Sequence, residues 1–115
     1  MMINVLTPQG WKVLIKMPQV EKVTAGGIIR VDAVVEAEEY MSITAEVVAI
    51  GPLAYADRES GEPWATGPWC KVGDIVIVPK FVQFKLEIEE QEYRFINDDE
   101  VIAVVHNPDA IKVYT

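Results

Sequence analysis

Short apolar runs separated by turn residues recur along the whole chain, and this rhythm most constrains the fold. Roughly seven such runs occur, with turn signals about 8–12 residues apart and no convincing long helix. In a single domain of 115 residues, this spacing predicts a small all-β barrel or sandwich. The predicted strands are Ile3–Leu6, Trp11–Lys16, Ser42–Ile50, Ile75–Val78, Phe81–Ile88, Tyr93–Ile96 and Val101–Val105.

Two of these runs also predict which faces are buried. Trp11, Val13 and Ile15 fall on one side of their strand and lysines on the other, as in a half-buried strand. Ile75–Val78 is apolar without interruption, so we expect a strand buried on both faces.

Two adjacent glycines followed by two branched apolar residues lie between the second and third runs. Gly26 and Gly27 carry no Cβ, so the backbone is unusually free there, and Ile28 and Ile29 follow at once. One interpretation is a mobile loop whose apolar tip is buried only when a partner arrives. The other is a Gly-Gly hairpin turn that leads into a buried strand at Ile28–Val31. The local sequence leaves both open.

A long turn-rich connection with several aromatic residues follows the third run. It extends from Pro52 to Cys70 and carries Tyr55, Trp64 and Trp69. Loops of this length in small domains are usually functional or are ordered by their own side chains. We expect Trp64 and Trp69 to cover an open end of the core, with a ligand platform as the alternative.

Charge and composition exclude several classes of function. The net charge of −8 argues against nucleic acids and anionic membranes as partners. No run approaches the ~20 apolar residues of a membrane span, and the N-terminal residues do not resemble a signal peptide. Cys70 is the single cysteine and has no partner for an internal disulfide, which fits a cytoplasmic protein.

Catalytic and metal-binding chemistry finds little support in the sequence. His106 is the only histidine, and we expect a solvated or capping role for it beside a proline-containing tail. Cys70 has no second cysteine or histidine nearby for a metal site or a thiol dyad. Asp98 and Asp99 fall in a turn, where solvation is the expectation. We therefore expect a protein without catalytic residues or metal ligands, and not an enzyme.

Five blocks of residues together resemble one family, the GroES-type co-chaperonins. They occur in the family's order and span nearly the whole chain. The blocks are Val13-Leu14-Ile15-Lys16, Thr24-Ala25-Gly26-Gly27-Ile28-Ile29, Glu46-Val47-Val48-Ala49-Ile50-Gly51, Lys71-Val72-Gly73-Asp74-Ile75-Val76-Ile77 and Asp99-Glu100-Val101-Ile102-Ala103-Val104-Val105.

The resemblance implies a small GroES-like β-barrel over residues 1–105, followed by a C-terminal tail at 106–115. A mobile loop at about 18–41 and a hairpin-forming roof loop at about 52–70 would extend from the barrel. It further implies a homo-heptameric ring that caps a GroEL-type chaperonin and encloses a client protein. ATP or ADP would be bound by the chaperonin, so this chain would need no cofactor.

The resemblance also assigns roles to particular residues. The chaperonin-binding residues would be Gly26, Gly27, Ile28, Ile29, Arg30 and Val31. The subunit interface would be formed by Ile3, Val5, Leu6, Val101, Ile102, Ala103 and Val104.

Two departures from the family pattern affect these expectations. Arg30 stands where the family usually has an apolar residue, which weakens docking by about 1.5–3 kcal/mol per loop unless its aliphatic stem packs. The roof segment is longer and more aromatic than usual. Members encoded by phages often show a similarly rebuilt loop and roof, so a phage origin is one interpretation.

Energetic estimates favour a ring with several loops over a single docking loop. Ordering about ten residues costs on the order of 10 kcal/mol. Burying Ile28 and Ile29 returns about 3–6 kcal/mol. One loop therefore binds weakly, and several loops on one ring raise the effective concentration of each further contact.

Two other functions compete with the co-chaperonin interpretation. A structural or adaptor protein, such as a virion component, would reuse the ring-forming barrel without binding a chaperonin. A detached dehydrogenase fragment with the same barrel fold would carry catalytic cysteine, histidine and glutamate ligands, which this chain lacks.

Overall fold

The computed structural model describes residues 5–18, 43–80 and 84–111, and their regular structure is almost entirely β. In these residues six strands pair antiparallel in one sheet, in the order β4-β5-β1-β2-β3-β6. The all-β prediction is confirmed. Within the same residues, no helix has the length and hydropathy needed to span a membrane. The strands are β1 (Lys12–Lys16), β2 (Thr44–Ile50), β3 (Ile75–Ile77), β4 (Phe84–Ile88), β5 (Gln91–Asn97) and β6 (Ala103–Val105).

The predicted first strand, Ile3–Leu6, is not formed by its described residues. Val5 and Leu6 lie outside any strand, and Ile3 lies outside the described part of the chain. A strand needs a neighbour to satisfy its N–H and C=O groups, and no described strand of this chain pairs with this segment. For Val5 and Leu6 the prediction is therefore wrong within a single chain.

The central strand β1 is buried on both faces, whereas the sequence predicted a half-buried strand. Val13 and Ile15 belong to the core, and Leu14 between them is also fully buried. Because β1 lies between β5 and β2, Leu14 has Phe95 opposite it on one side and Ala49 on the other. Trp11, predicted on the buried face, precedes the strand and is exposed.

Strand β3 alternates between buried and exposed residues, so the prediction of burial on both faces is wrong. Val76 and Val78 are fully buried, whereas Ile75 is 36% exposed. β3 lies next to the edge strand β6, and Ile75 is paired with Glu46 and Val105 on a face away from the core. A continuous apolar run therefore does not require two covered faces.

The hairpin between β4 and β5 turns through two glutamates. Ile88 pairs with Gln91, which leaves Glu89 and Glu90 as the connecting residues. Both have positive φ angles, 51° and 67°, as the central residues of a type I′ turn do. This turn matches the right-handed twist of the strands, although asparagine and glycine usually occupy it.

The core lies between the sheet and the 52–70 segment. Strand residues supply most of it, and Tyr55 and Cys70 complete it from the loop side. Gly51 ends β2 at a point where a Cβ atom would lie 2.5 Å from the Gly10 carbonyl oxygen and 2.9 Å from that of Lys12. Glycine is therefore required there by backbone packing rather than by a special φ angle.

Candidate functional site

The predicted docking residues belong to a segment anchored by two neighbouring strands. Gly26 to Val31 lie outside the described residues. They belong to the connection between β1, which ends at Lys16, and β2, which begins at Thr44. This connection is called the Gly-Gly segment below. Lys16 pairs with Glu46, so both ends of the segment leave the same end of the sheet. Met17 is buried, and its N–H donates to the Glu92 carbonyl at 3.0 Å. The Val78 N–H donates to the Ile43 carbonyl at 2.8 Å, so both roots are tied to the sheet.

The predicted subunit-interface residues that the structure describes range from exposed to buried, and Ile3 lies outside them. Val5 and Ile102 are 67% and 65% exposed, and Ala103 is exposed beside Ile102. Val101 is buried in the core, whereas Leu6 and Val104 are partly buried. The Ile102 N–H donates to the Ile77 carbonyl at 2.8 Å, which fixes the exposed side chain at the edge of the sheet. Exposed branched side chains beside an edge strand can pack against another chain.

Two surface clefts are lined by residues outside the predicted docking and interface sets. One, of about 470 Å³, lies beside the segment roots and includes Met17, Thr44 and Pro108. The other, of about 770 Å³, lies between Pro8 and Phe84. Neither is lined by a described residue of the predicted docking or interface sets.

Residues 55–64 form a compact hairpin within the 52–70 segment, here called the roof hairpin. The Asp57 N–H donates to the Glu62 carbonyl and the Trp64 N–H to that of Tyr55, at 2.8 and 2.9 Å. The Asp57 carboxylate accepts the N–H groups of Glu59 and Ser60, each at 2.9 Å. The side chain of Asp57 thus holds the tip in shape, as aspartates in turns commonly do.

An aromatic cluster joins the roof hairpin to the core. Tyr55 is buried, and its ring lies edge-on to Trp64 with centroids 5.6 Å apart. Trp64 packs against the core. The ring centroid of Trp69 lies 5.3 Å from that of Trp64, but Trp69 remains 40% exposed. The predicted core-covering role is therefore confirmed for Trp64. For Trp69 it holds only in part, because Tyr55 occupies the inner position.

Tyr55 adopts a backbone conformation that a bulky residue rarely takes. Its φ is 60°, in the left-handed region, which costs on the order of 1–3 kcal/mol. Such strain persists only where surrounding contacts hold it. Here the Tyr55 N–H donates to Asp98 at 2.8 Å, and its carbonyl accepts the Trp64 N–H.

Asp98 is fully buried, and the prediction that it is solvated is wrong. It begins the 3₁₀ turn Asp98–Glu100 after β5. Its two carboxylate oxygens accept hydrogen bonds from both terminal nitrogens of Arg58, at 2.9 and 2.5 Å, and from the Tyr55 N–H. Such parallel two-bond pairing of arginine with a carboxylate adds both energy and geometric specificity to the charge attraction. Asp98 with its Arg58 and Tyr55 donors is called the Asp98 latch below.

The latch keeps the carboxylate ionised despite its burial. Burial alone raises the pKa of Asp98, but the Arg58 guanidinium and the Tyr55 N–H stabilise the charged form more. The pKa of Asp98 therefore lies below its ordinary value. The same pairing raises the pKa of Arg58.

Arg58 is held in place by aromatic rings as well as by charge. The centre of its guanidinium lies 4.6 Å from the Trp11 ring centroid and 5.6 Å from that of Trp64. A cation over an aromatic face is attracted by the ring quadrupole. Trp11 therefore contacts Arg58 of the roof hairpin from outside the core. Residue spacing gives no signal for this contact, because Trp11 and Arg58 belong to distant parts of the chain.

The remaining candidate residues show no reactive arrangement. Cys70 is buried, with its sulfur 3.3 Å from the Tyr55 hydroxyl oxygen. Burial raises the pKa of both groups, so the reactive thiolate is disfavoured. His106 is exposed, as predicted. In the described residues, histidine, cysteine and acidic side chains form no group of three or more suited to a metal ion.

The similarity to known proteins extends over the sheet and the segments that connect its strands. The family model described as "Chaperonin 10 Kd subunit" matches residues 5–105. A protein named co-chaperonin GroES from Caldicellulosiruptor saccharolyticus is 34% identical over 102 residues, covering 89% of this chain and 98% of that protein.

Two further relatives agree. Proteins of the same name from Acetivibrio thermocellus and Clostridium perfringens are 31% and 32% identical over 100 residues. Each alignment covers 87% of this chain and 97% of the relative. The chain therefore belongs to the chaperonin 10 subunit family, that of the GroES-type co-chaperonins.

Proposed function

We propose that this protein is a co-chaperonin that caps a GroEL-type chaperonin as a homo-heptameric lid and encloses a client protein during ATP-dependent folding. The observation that carries the proposal is the family match over residues 5–105, which includes the Gly-Gly segment. The relatives align with this chain over almost their full length. They are named co-chaperonins, which supports the same role.

Docking is assigned to the Gly-Gly segment. Gly26 and Gly27 permit the bend, and the side chains of Ile28 and Ile29 enter an apolar groove of the chaperonin. Arg30 and Val31 follow them at the rim of the contact. The anchoring of both segment roots on β1 and β2 supports this role, because a rigid base limits the entropy lost when the segment docks.

Ring formation is assigned to the two ends of the chain. Ile3, Val5 and Leu6 of one copy would pair with the edge strand β6 of the next copy. The high exposure of Val5 and Ile102 supports this contact. Such head-to-tail pairing uses two different surfaces of each copy, and repeated contacts of this type close into a ring.

In this role the chain performs no catalysis of its own and holds no nucleotide. ATP and ADP are bound by the partner chaperonin, and the protein acts in the cytoplasm of a bacterial cell. The lengthened roof segment also fits a phage-encoded member of the family.

The decisive experiment measures capture of the protein by a GroEL-type chaperonin with and without nucleotide. Wild-type protein is expected to bind only with nucleotide. The double variant Ile28→Ser with Ile29→Ser should lose binding, because it removes about 3–6 kcal/mol of apolar burial per loop. Val72→Ser, which changes an exposed apolar residue elsewhere, serves as the control and should bind normally.

The first result below tests the docking segment, and the second tests the co-chaperonin function itself. Unchanged capture of the double variant would exclude this segment from docking. No capture of the wild-type protein under any nucleotide condition would favour the adaptor function.

A further inference from the structure

We propose that the roof hairpin opens and closes as a unit without unfolding of the sheet. The Asp98 latch sets its closed position and links that position to the edge strand β6.

The roof hairpin is self-contained in its backbone hydrogen bonds. Those that the structure shows for residues 55–64 join them to one another or to the following turn at Gly67. No strand of the described sheet exchanges backbone hydrogen bonds with the hairpin. Its internal bonds can therefore persist while it moves as a body.

The hairpin is joined to the sheet side by apolar packing, by the Arg58 guanidinium over the Trp11 ring and by hydrogen bonds to Asp98. The rings of Tyr55 and Trp64 pack on the core, but apolar contact is not directional and does not define one position. Asp98 supplies the directional contact, because three donors from the hairpin converge on its two oxygens. Among these contacts, the buried Asp98 carboxylate does most to determine where the hairpin rests.

The backbone strain at Tyr55 favours release when the latch is broken. Its φ of 60° lies in the left-handed region, and Asp98 accepts the N–H of this same residue. Without that acceptor, Tyr55 can return to a common conformation, and the hairpin moves with it.

The latch also touches the part of the chain that leads to β6. Asp98 starts the 3₁₀ turn, and the Glu100 carboxylate closes it by accepting the Asn97 N–H at 2.7 Å. The exposed Ile102 follows two residues later. A change at Asp98 is therefore transmitted over a few residues to this edge. The importance of the edge rests on the proposed function, in which β6 contacts the neighbouring copy.

Hydrogen exchange of backbone amides in the intact protein, without chaperonin, tests the proposal. In Asp98→Asn, amides of residues 55–64 should exchange at least about tenfold faster, and residues 102–105 should also exchange faster. Amides of β1 and β2 should change by less than about threefold. Asp99→Asn removes the same charge at the exposed neighbouring residue and should leave all three regions unchanged.

The other results would overturn the proposal in defined ways. Equal acceleration in the hairpin and in β1 would show one cooperative unit, and no acceleration at 55–64 would show that Asp98 does not set the hairpin's position. Faster exchange in the hairpin with unchanged residues 102–105 would disprove the link to β6.

A milder variant and a separate assembly measurement complete the design. If Asp98→Asn does not fold, Arg58→Lys keeps the charge, loses the paired hydrogen bonds and should give the same pattern more weakly. Sedimentation of each variant reports ring formation independently. Absence of a ring in the wild-type protein would count against the proposed function, while the exchange data would still decide the latch.

Discussion

Asp98 and Arg58 are separated by 40 positions in the sequence and joined by two parallel hydrogen bonds in the fold. The carboxylate is fully buried, whereas the Arg58 side chain keeps a third of its surface exposed. The pair therefore places a charge beneath the roof hairpin, with its partner reaching down from the surface. A buried carboxylate is tolerated when its hydrogen-bonding capacity is met, and here three donors meet it.

Replacing Asp98 by asparagine should destabilise the protein by about 1–3 kcal/mol at neutral pH. The amide oxygen can still accept the hydrogen bonds made by the carboxylate oxygen it replaces, but the amide nitrogen is itself a donor and faces the donors that were bound to the other oxygen. Urea unfolding monitored by circular dichroism measures the free energy. Asp99→Asn, at the exposed neighbour, should stay within about 0.5 kcal/mol of wild type, and a similar loss in both variants would contradict the explanation.

Acid should remove the stabilisation that Asp98 provides. Because the pKa of Asp98 is lower in the folded than in the unfolded protein, the unfolded state binds more protons in the acidic range, and stability rises with pH there. The contribution is complete above the unfolded value of about 3.9 and is lost as pH falls through the folded pKa. The groups near Asp98 are Arg58, Tyr55 and Asp99, and Arg58 stays charged throughout this range.

Unfolding free energies between about pH 2 and pH 5 in wild type and Asp98→Asn measure this loss. The wild-type curve should fall more steeply, and parallel curves would rule out Asp98 as its source. Asp57 also has a lowered pKa, from the Ser60 and Glu59 N–H groups. The variant Asp57→Asn therefore identifies how much of the acid-induced loss of unfolding free energy comes from the hairpin tip.

The sequence predicted the positions of the strands better than it predicted which strand faces are buried. Alternation and turn residues located β1, β2, β5 and the β4–β5 hairpin, because these signals are local. It did not predict the burial of Leu14, which depends on strands from two distant parts of the chain. Ile75 was wrongly expected to be buried for the related reason that an apolar side chain does not reveal whether anything covers it.

The Asp98 latch had no sequence signal for a similar reason. A turn with two aspartates is usually solvated, and nothing local shows that Arg58 reaches it from the roof hairpin. The aromatic roof residues were identified from composition, but not the division between buried Tyr55 and exposed Trp69. The docking residues Gly26 to Val31 lie outside the described residues, so their assignment stays a prediction.

Replacing Gly51 by alanine should destabilise the protein by about 1–3 kcal/mol. The added Cβ would meet the carbonyl oxygens of Gly10 and Lys12 at 2.5 and 2.9 Å, and these are backbone atoms that cannot rotate away. The Gly51 N–H also donates to the Lys12 carbonyl at 2.8 Å, so a shift would lengthen that bond. Thermal unfolding measures the effect, with Pro52→Ala at the exposed next residue as the control. Equal melting temperatures for Gly51→Ala and wild type would show that the contact relaxes freely.

Replacing Glu89 and Glu90 by asparagine and glycine should stabilise the hairpin between β4 and β5 by about 1 kcal/mol. Both glutamates have positive φ angles, which residues with a long side chain adopt at a cost and which Asn-Gly adopts readily. The double variant also removes two negative charges from an acidic chain, which could stabilise it by itself. Glu89→Gln with Glu90→Gln removes the same charges without relieving the backbone. Urea unfolding should therefore show a larger gain for Asn-Gly than for Gln-Gln, and equal gains would assign the effect to charge rather than to the turn.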